Sequence, residues 1–214
     1  MAISVQASDR VFICGKTGSG KTTLARELTR NLSRLVVLDS KGTLSDWNLA
    51  DWDRESQQAL EQGERVRARV LQPLDLPDQA AIDAFWTDVF RQCFEAGNVT
   101  IYVDELFAIV PPGKPAPPIM LACWTRGREF GIGAWASTQR PSWVPLATIS
   151  ESEHDFMFRL TLKQDRQRMS EFMTERVTRE IKDPHGFYYM QSSANEPVYI
   201  SSLDLGGENA RSET

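Results

Sequence analysis

The residues best suited to chemistry lie near the amino terminus. Gly15-Lys16-Thr17-Gly18-Ser19-Gly20-Lys21-Thr22 fits GxxxxGK[ST] at every required position. The glycines let successive backbone N–H groups turn inward around phosphates, and the helix start that follows adds positive potential. Lys21 then reaches the β- and γ-phosphates, and the Thr22 hydroxyl ligates Mg²⁺. Gly15 to Thr22 are therefore expected to bind ATP together with Mg²⁺.

A second cluster supplies acid. In Ile101-Tyr102-Val103-Asp104-Glu105 a β-prone run ends in two carboxylates. Asp104 is placed to hold the Mg²⁺ shell, directly or through water. Glu105 sits where a base could orient water for in-line attack on the γ-phosphate. Gln139 ends the next apolar run at Thr138-Gln139-Arg140-Pro141. It can donate to a phosphate and accept from water, which suits a sensor of nucleotide state; the plainer alternative is a polar residue before a turn. Arg126 and Arg128 in Thr125-Arg126-Gly127-Arg128-Glu129 have two readings. Either they stabilise a helix carboxyl end, or they form an arginine finger that completes a neighbouring subunit's site. Arg140 is the rival finger, acting within its own subunit. His154 and His185 stand alone without ligand spacing, so neither is assigned to a metal.

These residues need a scaffold that brings them to one edge. Val11–Cys14 leads into the glycine-rich turn, a helix is expected from about Lys21 to Leu32, and Leu35–Asp39 forms a second strand before Ser40-Lys41-Gly42. Strand–helix–strand units make parallel sheets covered by helices, which bind ligands at the carboxyl ends of their strands. Residues 43–63 read as loop with a short helix near Ser56–Gln62, and Val66–Leu71 as a strand. Asp78 caps a helix running to about Ala96, with Ile82, Phe85, Trp86, Val89, Phe90 and Cys93 on one face and Gly97 as its stop. Further expectations are a stiff proline loop over 111–118, a helix over Ile119–Glu129 and a strand over Gly131–Ser137. A strand and helix follow over 155–173, then a terminal hairpin from Gly186–Met190 and Pro197–Ser201. The fold class is α/β: a mostly parallel sheet flanked by helices, with a carboxyl-terminal β-hairpin. Residues 1–204 are expected to form a single ATPase domain, and 205–214 a disordered tail.

Composition limits the partners. With 24 Lys+Arg against 29 Asp+Glu, the chain is not one that coats nucleic acid by bulk charge. DNA contact would need local patches, and the candidates are Lys114 and the Arg65/Arg67/Arg69 row, whose plainer reading is a solvated sheet face. The apolar runs are too short to span a membrane, and residues 1–10 lack a signal-peptide pattern. Cys14, Cys93 and Cys123 are widely spaced, without a CxxC pair, and read as buried thiols of a reducing compartment.

Taken together, GKTGSGKT at 15–22, VVLDSKG at 36–42, IYVDE at 101–105 and TRGREFGIGAWASTQRP at 125–141 resemble the FtsK–HerA superfamily of ring-forming, DNA-pumping ATPases. FRLTLKQDRQRM at 158–169 is similar to that family's following strand and helix, so the resemblance covers roughly residues 10–172. It implies a RecA-like P-loop core and a homo-oligomeric ring, pentamer or hexamer, that translocates double-stranded DNA. A chain reduced to the motor core looks most like the genome-packaging ATPases of viruses with an internal membrane. That implies a capsid vertex or virion membrane proteins as further partners, and a place in host cytoplasm or on the virion. Plasmid or chromosome translocation remains the alternative within the family, a small-molecule kinase or a nucleotide switch the alternatives outside it. Against a kinase stand Glu105 and Gln139, and a GTPase would need an Asn-Lys-x-Asp base reader.

Overall fold

The structure is a computed structural model that describes residues 3–201. The expected tail at 205–214, like the last residues of the expected 1–204 domain, lies outside the described residues. In chain order the elements begin with β1 (Arg10–Cys14), α1 (Lys21–Thr29), β2 (Arg34–Asp39), β3 (Ala50–Asp51), α2 (Arg54–Glu61) and β4 (Val66–Leu71). They continue with α3 (Gln79–Ala96), β5 (Thr100–Asp104), α4 (Leu106–Ile109), α5 (Pro118–Thr125), β6 (Gly133–Thr138) and α6 (Ala147–Ser150). Then come β7 (His154–Phe158), α7 (Lys163–Met173), β8 (Phe187–Gln191) and β9 (Val198–Ile200).

All nine strands join one sheet in the order β3-β4-β2-β5-β6-β1-β7-β8-β9. Every pairing from β3 to β7 is parallel, and only β8 and β9 run against their neighbours. Strands β1, β5, β6 and β7 are buried along their whole length, and β2 beyond its first residue, because both faces are covered. Side chains alternate between faces: Val11 and Ile13 pack with Leu24 and Ala25 of α1, whereas Phe12 and Cys14 join the core under α3, α5 and α7. On α3, Trp86, Val89, Phe90 and Cys93 are buried and Ile82 and Phe85 pack against them, as the helical spacing predicts. The Asp78 carboxylate accepts from the Ala81 N–H at 2.9 Å, and Gly97 ends the helix at φ 61°. The terminal hairpin is formed by β8 and β9.

Three local expectations need correction. Helix α1 stops at Thr29, and its last carbonyls are taken by Arg67, whose Nη1 donates to Thr29 O at 2.8 Å and Leu32 O at 2.7 Å. Arg67 and Arg69 are therefore half-buried and paired within the fold rather than set out as an open row. Arg67 closes α1, Arg69 lies 3.8 Å from Asp51, and Arg65 precedes the strand. The helix expected over Ile119–Glu129 is broken: α5 ends at Thr125 and a 3-10 turn covers Gly127–Phe130. Gly127 permits the break, because its carbonyl accepts from the Ile132 N–H and a Cβ there would sit 3.2 Å from the Ile132 side chain.

The cysteines are free and buried. Burial pushes the thiols of Cys14 and Cys93 well up and that of Cys123 to about 12, so none is a ready nucleophile. Among the described residues no helix is long and apolar enough to cross a membrane.

Candidate functional site

The parallel strands deliver their carboxyl ends to one edge, and every residue of the phosphate loop and acid cluster lies there. The loop is held at its base by Gly15 N–H donating to Thr138 O at 3.1 Å and Lys16 N–H to Arg159 O at 2.8 Å. Gly15 has no space for a side chain: a Cβ would fall 2.5 Å from Phe158 Cβ and 2.7 Å from Ser19 Oγ. Gly18 and Gly20 adopt φ of 74° and 107°, where side-chain-bearing residues are strained. Helix α1 starts without a side-chain cap, so its first N–H groups remain available to an anion.

Lys21 is buried, its Nζ donating to Gly15 O at 2.8 Å and Lys16 O at 3.1 Å, so the ammonium closes the loop on itself. Burial lowers its pKa, opposed by the charges of Glu105 and Asp104. A phosphate entering the loop would stabilise that charge. The Ser19 hydroxyl is buried without a partner and Thr22 stands exposed on the first turn of α1. Turned-in amides, an orphaned hydroxyl and a buried cation fit a polyphosphate chain.

Asp104 and Glu105 differ in environment. The hydroxyls of Tyr102 and Ser137 both donate to Asp104 Oδ1 at 3.0 Å, leaving Oδ2 without a bond among the described residues. Burial holds the Asp104 carboxyl above its ordinary range despite those two bonds, and a divalent cation beside Oδ2 would favour its charged form. No cluster of three His, Cys, Asp or Glu side chains exists among the described residues to cage a metal. Mg²⁺ keeps waters and binds through one or two carboxylates plus substrate phosphates, and Asp104 Oδ2 and the exposed Thr22 hydroxyl are the side-chain groups that would hold it.

Glu105 turns the chain from β5 into α4 in the left-handed region, at φ 61° and ψ 69°. A non-glycine residue held there costs about 1–3 kcal/mol, strain found mainly where side chains must be aimed. Its carboxylate is 4% exposed. Oε1 accepts from Thr138 Oγ1 at 3.2 Å and Gln139 N–H at 2.9 Å, and Oε2 from Gln139 Nε2 at 2.8 Å. Gln139 also accepts from Thr17 Oγ1 at 2.8 Å, so one amide connects the phosphate loop to the acid. As the strand order requires, β6 lies between β1 and β5.

Sequence reasoning left Lys41 without a role, yet its Nζ donates to Glu105 Oε2 at 3.2 Å. The signal lay in position: Asp39 pairs in register with Asp104, so the residues just after β2 stand beside the acids. Asp39 supports that loop by accepting from the Thr43 and Leu44 N–H groups at 3.1 and 2.9 Å.

Arg126 and Arg128 are elsewhere. They precede the start of β6, at the opposite edge of the sheet from Gly15. A five-residue strand separates the edges by roughly 15 Å, so neither arginine reaches its own phosphate loop. Arg128 pairs with Glu153 at 2.9 Å, whereas Arg126 is exposed and makes no ion pair among the described residues. Arg140 is committed within its own subunit, 2.9 Å from Asp165 and 3.8 Å over the Trp143 ring.

No protein-family model matches the chain. The DNA packaging ATPase P9 of Enterobacteria phage PRD1 is 27% identical to it, over 91% of this chain and 87% of that protein. The genome packaging NTPase B204 from Sulfolobus turreted icosahedral virus 2, solved with AMPPCP, has the same fold. Its TM-score is 0.72 at 15% identity, over 92% of this chain and 100% of that one. The pCW3 conjugation coupling protein TcpA follows the fold more loosely, with a TM-score of 0.55 at 12% identity, over 95% of this chain and 63% of its own. In sequence to P9 and in fold to B204, the chain is similar to the viral genome-packaging ATPases, the group that its motifs resemble within the FtsK–HerA superfamily.

Proposed function

We propose that this protein is an ATP-driven motor that packages double-stranded DNA into a viral capsid, working as a homo-oligomeric ring. The observation that carries this reading is the likeness to P9 along nearly the full length of both chains, joined to an acid and sensor arrangement built for hydrolysis. The phosphate loop binds ATP with Lys21 on the β- and γ-phosphates. Thr22 and Asp104 share the Mg²⁺, Glu105 orients the attacking water, and Gln139 reports the state of the loop to Glu105. Residues up to 204 act as one ATPase unit, in host cytoplasm or docked at a capsid vertex. With Arg67 and Arg69 engaged inside the fold, exposed Arg65 and Lys114 on the proline loop, 3.3 Å from Asp83, are the remaining candidates for DNA contact.

The γ-phosphate is completed in trans. Developing charge in phosphoryl transfer is commonly met by an added arginine worth roughly 10³–10⁵ in rate. The far edge position of Arg126 and Arg128 supports a neighbour's site as their target, and the unpaired Arg126 is the better placed of the two. Mixed rings test this, with hydrolysis in the presence of double-stranded DNA as the readout. Arg126→Ala/Arg128→Ala subunits and Lys21→Ala subunits should each be inactive alone and partly active together. A mixture that assembles yet stays as inactive as its parts removes the trans arginine. A wild-type rate indifferent to DNA removes the motor.

A further inference from the structure

Glu105 has no free acceptor site for a water. An ionised carboxylate offers about four acceptor sites, and Thr138 Oγ1, Gln139 N–H, Gln139 Nε2 and Lys41 Nζ fill them. A carboxylate so saturated cannot also accept from an attacking water, so one donor must leave before hydrolysis. Thr138 and the Gln139 amide N–H belong to the buried end of β6 and its turn, and the Gln139 side chain is held at its other end by Thr17 Oγ1. Lys41 is different: its side chain is 41% exposed against 4% for Glu105, and a flexible stem carries its ammonium.

The loop bearing Lys41 is nonetheless anchored. The Asp39 carboxylate holds Thr43 and Leu44, and Trp47 stacks on Tyr102 with ring centroids 5.3 Å apart. Only the Lys41 side chain is left to move, with the Phe107 ring 5.9 Å from its ammonium. The ammonium also stands near the phosphate loop: it shares Glu105 Oε2 with Gln139 Nε2, and the same Gln139 amide accepts from Thr17 of the loop.

From this geometry we infer that Lys41 is a nucleotide-operated latch, bonded to Glu105 in the empty site and transferring to the terminal phosphate of a bound nucleoside triphosphate. The transfer exchanges one anion for another of higher charge and frees Oε2 of Glu105 for water. It thereby makes the base available only when a γ-phosphate is present. A diphosphate ends short of Lys41 and leaves the latch closed. The inference rests on reading this site as an ATP site, but not on the motor reading.

The test is equilibrium binding of β,γ-methylene ATP and of ADP, each with Mg²⁺, to the full chain and to Lys41→Met and Lys41→Arg. Lys41→Met should lose roughly 10-fold or more of its affinity for the triphosphate analogue and bind ADP as the wild type does. Lys41→Arg should keep most of the preference. An analogue-to-ADP affinity ratio unchanged in Lys41→Met overturns the proposal, whatever its hydrolysis rate. Lys41→Gln, which retains a neutral donor for Glu105, must lower the ratio too, or the latch is wrong. The ratio is read without DNA and without turnover, so it stands or falls separately from the motor and from Glu105 as base.

Discussion

In the proposed mechanism Lys21 acts on the phosphates from the ground state and Glu105 on the attacking water, so their substitutions should separate. Lys21→Ala removes a cation from the phosphates in the ground state, so ATP binding should weaken roughly 10- to 100-fold. Glu105→Gln keeps the side-chain shape and should bind nucleotide nearly as the wild type does, while kcat falls roughly 10²- to 10⁴-fold. Hydrolysis at the wild-type rate in Glu105→Gln would show that another group orients the water. A second residue-scale prediction concerns Asp155, buried in β7 with Oδ1 unpartnered. Burial raises its pKa well above the ordinary carboxylate range, so the folded state holds a proton that the unfolded chain has released. That contribution to stability is complete below the unfolded pKa of about 3.9 and is lost as pH rises through the folded pKa. Asp155→Asn, which never ionises, should match the wild type in acid and be the more stable protein at neutral pH. Denaturant melts at the two pH values check this, and equal gains at both would contradict it.

At the scale of elements, the helix-capping arginine of β4 makes a test of its own. Arg67→Met removes two charge-assisted bonds to carbonyls at and beyond the end of α1. Unfolding free energy should drop by about 1–3 kcal/mol, with DNA binding unaffected; a large loss of DNA affinity with unchanged stability would restore Arg67 to the DNA surface. The alternation of Arg65, Arg67 and Arg69 was visible in the sequence, but which elements lay against that face was not. Other features were legible because their signal is local. A glycine-rich turn between an apolar run and a helix specifies a phosphate loop, and Asp78 with Gly97 marks both ends of α3 by cap chemistry. Gly127 was visible too, yet its breaking of the helix depends on Ile132 crossing back against it. Lys41 was the most serious omission. Its bond to Glu105 spans 64 positions and exists only because β2 and β5 are neighbours in the sheet.

At the scale of the molecule, the proposed mechanism places two halves of a reaction at opposite edges of one sheet. The loop, the acids, Gln139 and Lys41 occupy the carboxyl edge, and Arg126 with Arg128 the other. One subunit cannot bring these together, whereas the proposed head-to-tail ring would do so at every interface. The net charge of -5 means that such a ring would grip DNA through few cations, so binding should ignore sequence and weaken as salt rises. The central claim is that hydrolysis at this site moves double-stranded DNA. The most direct measurement is displacement of a third strand from a linear duplex by the assembled protein with Mg-ATP. The account predicts release of the third strand by the wild type with ATP, none with β,γ-methylene ATP and none by Glu105→Gln. If the assembled wild type hydrolyses ATP on that duplex and the third strand stays bound, the protein is an ATPase but not a motor.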